Sequence, residues 1–524
     1  MRRLLAGSSG LVVLSLSLFV SVGAEAAVRP WALVGSGAPF EAEYVGMNKG
    51  AVTLEGTGGV RKDFLIEKFS PEDQVHVFEM EAGNGRPFSF PKQTSLTTKG
   101  GYKSGTLAKA GEKVVELGGG SELHVTEAVS SLAGGFNFTS PDAWLVFDQV
   151  AASKVTSDLL EKIRVYGSPA EVGKNVRVAQ YGGLGAVVIP HGADFPAMTV
   201  FLQKGCAGAS MPMRCYEQEG AVEGMTVGSI RLKRGYMLTI AEKKDGTGVS
   251  RNYVAQDHDL EIESLPAGLD KGLGFVRIFP WRWTSKKGIA GGIHQGLNLG
   301  WFYDWNISTN SSADMEYVPI KQKRFWPGLN QDWKVRGSLH LLGFNEPDKA
   351  DQAKMTVDEA IQGWPELEKT GLRLGSPATS DGGLGWLYQF MEKADAAGLR
   401  VDFVAVHYYR AFANPGDAKG AAQQFHDYLK GIHERTKRPI WVTEWNNGAN
   451  WTKEPDPNDK QQRDAVREMV EMLDKAPFVE RYAFYNWVEE VREIKRKDGS
   501  LTAAGEVYRD EVSPVAYGQE KAGK

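Results

Sequence analysis

LLGFNEPDKA, residues 341–350, runs from an apolar strand straight into an Asn-Glu-Pro corner. Leu341, Leu342 and Phe344 suit a buried strand, whereas Asn345, Glu346 and Asp348 do not. An apolar run that ends on an amide and a carboxylate is either a strand reaching the surface or a strand delivering chemistry to a site. The flanking text repeats the same form. Candidate strands lie at Gly288–Ala290, Leu297–Trp305, Tyr317–Lys321, Leu341–Glu346, Leu372–Ser376, Phe403–Tyr409, Ile440–Trp445 and Tyr482–Trp487. Helical patterns separate the later ones. Thr356 and Glu359 form a capping-box pair ahead of residues 357–364. Residues 385–398 place Trp386, Leu387, Phe390, Met391 and Ala394 on one face and stop at Gly398. Phe425, Tyr428, Leu429 and Ile432 recur at helical spacing, as do Val466, Met469, Val470 and Leu473. Strand and helix in alternation, with eight strands, predict a (β/α)8 TIM barrel with short early helices.

Such a barrel builds its site at the carboxyl ends of its strands. The second strand ends on Asp304 and Trp305, the fourth on Asn345 and Glu346, and the sixth on His407, Tyr408 and Tyr409. The seventh ends on Glu444 and Trp445, and the eighth on Tyr485 and Trp487. Two carboxylates facing each other across an aromatic cleft suit glycosidic cleavage. One protonates a poor leaving oxygen, and the other traps an oxocarbenium-like centre. Glu346 alone reads equally as a surface carboxylate at a strand end; Glu444 on the matching strand gives it a partner. His407 reads as a site residue or a satisfied structural histidine, Tyr409 and Tyr485 as site or packing residues, and Asp304 as a sugar-binding carboxylate or a turn cap.

A glutamate preceded by Asn after strand four, with a second at the end of strand seven, is the arrangement of clan A retaining glycoside hydrolases. Within that clan "LGFNEPD", "GSPA", "VDFVAVHYY", "WVTEW", "RYAFYNW" and "GWFYDW" resemble glycoside hydrolase family 128, over about 283–508. The resemblance implies retaining cleavage of β-1,3-glucan, with endo action expected. It implies Glu346 as general acid/base, with a raised pKa, and Glu444 as nucleophile. It further implies Asn345 on the sugar 2-hydroxyl, His407 and Tyr409 orienting Glu444 or the sugar, and Trp305, Trp445 and Trp487 as stacking floors. Family members often carry His-Trp-Tyr after strand six; Tyr408 stands here in place of that Trp. Another clan A polysaccharide hydrolase, acting on mannan, xylan or β-1,4-glucan, and a non-catalytic glucan-binding protein remain open readings.

Ahead of the barrel the text is rich in β and turn signals. Residues 29–80 resemble the SH3-like adaptor-homology domain, through Arg29, Trp31, "FEAEYVG", "GAVTLE" and "IEKFSPEDQ", which implies a five-stranded partial barrel. The stretch holding "GGFNFTSPDAWLVFDQV" reads as a β-sandwich-like unit. Gly235-Tyr236, Gly248-Val249-Ser250 and Tyr253 to Asp257 resemble a βγ-crystallin Greek key, but 224–229 lacks that family's calcium carboxylates. These β regions read as a carbohydrate-binding surface or as a spacer.

The chain of 524 residues is too long for one ordinary domain. Its formal net charge of -4 offers no basic field for nucleic acid or anionic membrane. Its 14 Trp suit sugar stacking. Arg2 and Arg3, an apolar run at 11–22 and Ala24-Glu25-Ala26 predict a cleaved secretory signal peptide and a secreted or periplasmic product without a membrane anchor. Cys206 and Cys215, close together in an exported chain, are expected to pair. No Cys or His spacing predicts a metal site, and no cofactor is implied. The expected organisation is a signal peptide at 1–26, an SH3-like domain at 27–82, a β-sandwich-like domain at 83–190, a Greek-key domain at 191–280 and the catalytic domain at 281–524.

Overall fold

The structure is a computed structural model that describes residues 28–517 apart from 34–37, 49–50, 66–67, 71–72, 74–75, 78–79, 81–94, 100–101, 108–113, 119, 127–133, 193–194, 217–226 and 271. The expected signal peptide lies outside the described residues, as do 224–226 of the 224–229 stretch.

In the C-terminal part the parallel strands are β1 (Lys287–Ala290), β2 (Trp301–Tyr303), β3 (Glu316–Tyr317), β4 (His340–Leu341), β5 (Arg373–Leu374), β6 (Val404–Tyr408), β7 (Ile440–Trp445) and β8 (Val479–Tyr485). Six form one sheet in the order β3-β2-β1-β8-β7-β6, and β4 pairs with β5. Single parallel bridges, Ile320 to Leu342 and Gly375 to Phe403, link that pair to β3 and β6. The expected strand at Leu341–Glu346 is therefore shorter as a regular ladder. Its far end persists only as a bridge from Asn345 to Ala378.

The helices are α1 (Trp333–Arg336), α2 (Val357–Gly363), α3 (Pro365–Glu368), α4 (Leu384–Ala396), α5 (Ala418–Thr436), α6 (Asp459–Lys475) and α7 (Ala503–Asp510). The capping box of Thr356 and Glu359 opens α2. Phe425, Leu429 and Ile432 of α5 and Val466, Met469, Val470 and Leu473 of α6 are buried, as their spacing predicts. Two adjacent lysines at the start of the first strand, Lys286 just before it and Lys287 its first residue, tie helix ends to the sheet. Lys286 Nζ donates to the Asp474 and Ala476 carbonyls at 2.9 and 3.1 Å, and Lys287 Nζ to the Tyr508 carbonyl at 2.5 Å. Each satisfies carbonyls that a helix end leaves without partners.

Short early helices are not found: no helix separates β1 from β2 or β2 from β3. Their place is taken by the β region. One apolar cluster runs from Trp144, Val187 and Trp283 into Ile289, Leu297 and Phe302. Trp283–Thr284 itself pairs in parallel with Tyr181 and Gly182, and Gln180 Nε2 donates to the Gly300 carbonyl at 3.2 Å. A face already covered by a neighbouring sheet needs no helix to bury it.

Among the described residues the N-terminal regions are all β apart from short helical turns. Arg29–Trp31, Phe40–Asn48, Ala51–Gly56 and Arg61–Leu65 form a four-stranded antiparallel sheet around the fully buried Trp31. The fifth strand expected there is represented among the described residues by a single Leu33–Phe69 bridge. In the next region Tyr102–Leu107, Ser121–Val125 and Trp144–Phe147 pair in parallel in one sheet. Val115–Leu117, Phe136–Phe138 and Ile163–Val165 pair in parallel in the other. The chain alternates between two facing sheets about a shared core. Parallel neighbours thus come from successive passes, not from hairpins. Residues 196–280 form two antiparallel sheets around a third core.

Cys206 and Cys215 are free thiols, which overturns the expected pairing. The intervening strand, Ala207–Arg214, runs extended opposite Pro196–Gln203 apart from a register irregularity toward each end. At about 3.3 Å per residue the two cysteines sit at opposite ends of it, far beyond the ~7 Å that a disulfide spans. Sequence proximity brings cysteines together only when a turn lies between them.

Candidate active site

Strands β2, β4, β6 and β7 deliver their last side chains to one place. Glu346 sits just past β4 with φ 40°, a left-handed conformation unusual for a residue with a β-carbon. Neighbours on both sides hold it there: Glu346 N donates to the Ala378 carbonyl at 2.7 Å, and Asn345 N to the Gln322 carbonyl at 3.0 Å. Asp348 then accepts from Ser380 Oγ at 2.5 Å, fixing the loop that follows.

Glu444 is the penultimate residue of β7 and is 6% exposed. Three donors surround it. Tyr303 Oη donates to Oε1 at 2.9 Å, Trp305 Nε1 to the same oxygen at 2.8 Å, and Tyr409 Oη to Oε2 at 2.5 Å. Burial, together with the adjacent carboxylate, pushes both phenols well above their ordinary pKa, so both keep the protons they donate.

His407 joins the two glutamates. Its Nδ1 lies 2.9 Å from Oε1 of Glu346 and 3.5 Å from Oε2 of Glu444. Two oxygens this close to one nitrogen are at most about 6.4 Å apart, within reach of the ~5–5.5 Å spacing of retaining glycosidases. Burial alone would lower the His407 pKa, but the Glu444 and Glu346 carboxylates more than reverse this, so it is raised. Glu346 responds in the opposite sense. Its burial favours the neutral acid, but the bond to His407 outweighs that and its pKa is lowered. The expectation of a raised Glu346 pKa is therefore not met in the substrate-free protein, because the expected aromatic burial is outcompeted by a histidine.

Aromatic rings wall the glutamates. Trp305 meets Tyr485 at 5.9 Å and Trp487 at 6.1 Å between ring centroids; Tyr409 meets Tyr485 at 5.7 Å. Trp487 is 45% exposed and lies over Gly291, where a β-carbon would come within 2.1 Å of the indole. Asn345 is buried beside Glu346; its Nδ2 donates to Gln352 Oε1 at 3.3 Å and its Oδ1 has no protein partner.

Two expected site residues lie elsewhere. Trp445 is fully buried and packs on Phe425, Phe484 and Tyr508. Successive side chains on a strand point to opposite faces, so the neighbour of an inward Glu444 must face the helices. It cannot stack on a sugar. Tyr408 follows the same rule, stacking on Phe425 at 3.8 Å, so its departure from the family pattern concerns packing. Asp304 turns away from Glu444 and accepts from Tyr317 Oη at 2.5 Å and from Ser308 Oγ, which fits the turn-cap reading. Two residues were missed by the sequence reasoning. Tyr303 was discoverable, since Trp301, Tyr303 and Trp305 alternate with period two and Trp305 was already placed at the site. Trp451, 61% exposed and edge-on to Tyr409 at 5.3 Å, carries no signal beyond its type. Among the described residues no group of acidic, Cys and His side chains is arranged to hold a metal ion.

Paired carboxylates within a ring-lined, donor-rich mouth are the equipment of carbohydrate-active proteins. Residues 279–508 match the family model described as glycosyl hydrolase catalytic core. Over 233 residues the chain is 28% identical to alkali-sensitive linkage protein 1 of Schizosaccharomyces pombe, a match covering 41% of each protein. The chain thus spans well under half the length of that curated relative. A crystal structure of a family 128, subgroup I endo-β-1,3-glucanase from Amycolatopsis mediterranei with laminaritriose is 32% identical; the match covers 43% of this chain and 98% of that one, with a TM-score of 0.39. A curdlan-specific exo-β-1,3-glucanase of the same family from Blastomyces gilchristii is 29% identical, with coverages of 43% and 98% and a TM-score of 0.36.

Proposed function

We propose that this chain is an exported, retaining endo-β-1,3-glucanase of glycoside hydrolase family 128, with β1 to β8 closed as a (β/α)8 barrel. The observation that carries the reading is the bridge from His407 Nδ1 to both glutamates, with Glu444 held by three further donors. The bridges at Ile320–Leu342 and Gly375–Phe403 support ring closure, because they join the two-stranded ladder to both edges of the larger sheet.

In the first step Glu444 attacks the anomeric carbon while Glu346 protonates the departing glycosidic oxygen. One C–O bond breaks, one forms to Glu444, and the proton moves from Glu346 to the new hydroxyl. In the second step Glu346, now ionised, takes a proton from water as its oxygen attacks the same carbon and releases Glu444. Glu346 must be protonated to begin. Substrate entry strips water from its half-buried carboxyl, which favours the neutral acid and opposes the hold of His407. Asn345, with its free Oδ1 beside Glu346, would meet a sugar hydroxyl. Trp305, Tyr485 and Trp487 would present ring faces and edges to the glucan.

Reducing-sugar release from laminarin, curdlan, mannan and xylan, with product sizing, tests the reading. Release from the two β-1,3-glucans with a spread of product lengths is expected. Hydrolysis of mannan or xylan alone would place the chain with another polysaccharide, and binding without release would make it a glucan-binding protein.

A further inference from the structure

The segment after β3 presents two large rings to solvent. Lys323 N donates to the Trp326 carbonyl at 2.8 Å and Trp326 N to the Lys323 carbonyl at 3.1 Å, closing a tight turn with Arg324 and Phe325 at its tip. Phe325 is 86% exposed and Trp326 46%. The turn is tied down on three sides. Lys321 Nζ donates to the Pro327 carbonyl at 2.7 Å, Arg324 donates to Gln362 Oε1 at 3.2 Å and pairs with Glu359 at 3.6 Å, and its guanidinium lies 5.3 Å from the Phe325 ring centre. An exposed Phe forgoes the gain of burial, and fixing it in place incurs further entropy cost. A ring held ready in this way suits a partner that stacks on it.

The position of the turn names the partner. Gln322, bonded through its carbonyl to Asn345 N, lies beside the residue that precedes Glu346. Phe325 is three residues further on, at most about 10 Å of chain at 3.3 Å per residue. A polysaccharide held at the glutamates and continuing toward the β3 side would pass over this tip. The rings already placed at the glutamates come from the ends of β2, β6 and β8, and none of them comes from this turn.

We infer that Phe325 is a specificity-determining platform, stacking on a sugar unit of the glucan chain beyond those bound at Glu346 and Glu444. The inference rests on the proposed glucanase reading. It makes chain length, rather than the bond cleaved, the property that Phe325 controls.

The test compares the full chain with Phe325→Ala and Phe325→Trp on laminarihexaose and laminaritriose. Phe325→Ala is expected to raise KM for the hexaose about 5- to 20-fold with kcat little changed, to leave the triose within twofold, and to be rescued by Phe325→Trp. Equal losses on both substrates, or none on either, would overturn the platform. Affinities measured calorimetrically in the non-turning Glu444→Gln protein separate the two ideas. Hexaose binding weakened by Phe325→Ala supports the platform even if wild-type turnover is not seen. Hexaose binding that Phe325→Ala leaves unchanged overturns it while the glucanase reading stands, and no binding of either sugar overturns both.

Discussion

The hydroxyl of Tyr409 donates to Oε2 of Glu444 at 2.5 Å, the same oxygen that lies 3.5 Å from His407 Nδ1. Tyr409 is otherwise held by ring contacts to Tyr485 and Trp451, which Phe would keep. Tyr409→Phe should therefore lower kcat by about 10²–10³, as loss of one preorganised donor does, with KM nearly unchanged. Steady-state kinetics on laminarin decide it; a rise in KM at constant kcat would make Tyr409 a sugar contact instead.

The two glutamates should separate by their response to azide. Glu444→Ala should abolish turnover, and azide entering the vacated face should restore it with a product of inverted configuration. Glu346→Ala should retain activity on substrates with activated leaving groups, and azide there should give the retained anomer. NMR of the glycosyl azides reads the outcome, and the same anomer from both variants would refute the assignment.

His407 should set the alkaline limit of activity. It holds the Glu346 carboxyl below its ordinary pKa. Its loss lets that pKa rise, so the acid stays protonated to higher pH. In His407→Gln the alkaline limb of the kcat/KM profile should move upward, while an unmoved or lowered limb would show that His407 does not govern Glu346.

Two tryptophans one strand apart should fail differently. Trp445→Ala empties a fully buried site and should cost about 3–5 kcal/mol of stability. Trp487→Ala, at a half-exposed ring, should leave the melting temperature nearly unchanged and weaken glucan binding. Thermal denaturation beside KM measurements distinguishes them.

A remote histidine should make the β region sensitive to pH. His124 Nδ1 lies 2.9 Å from Asp148 and Nε2 3.1 Å from Glu122. Burial alone would lower its pKa, but these two partners raise it to about 9. A raised folded-state pKa stabilises below the unfolded value of about 6.5, and the benefit is lost as pH rises through about 9. Wild type should exceed His124→Gln by up to about 3 kcal/mol at pH 6, with the gap closing above pH 9. A gap independent of pH in paired melting curves would make the contribution one of packing alone.

Much of the site was legible because strand periodicity and strand ends are local properties. Apolar runs closing on Asn345-Glu346 and Thr443-Glu444 mark where two strands leave the core, and the helix cap at Thr356 follows from side chains within one turn. The same periodicity, applied one residue further, would have removed Trp445 and added Tyr303. The disulfide failed because two nearby cysteines say nothing about whether the chain between them is bent or extended.

The sequence by itself determined which side chains stand at the strand ends, since an alternating ladder lets only every second residue face inward. Tertiary structure alone decided what those side chains do to one another. His407, Glu346 and Glu444 are 61 and 37 residues apart and meet only because parallel strands return to the same edge. The lowered pKa of Glu346, the three donors on Glu444 and the β sheets standing where early helices were expected are all products of that convergence. Charge–charge and packing energies depend on distance in space, and distance along the chain does not encode it.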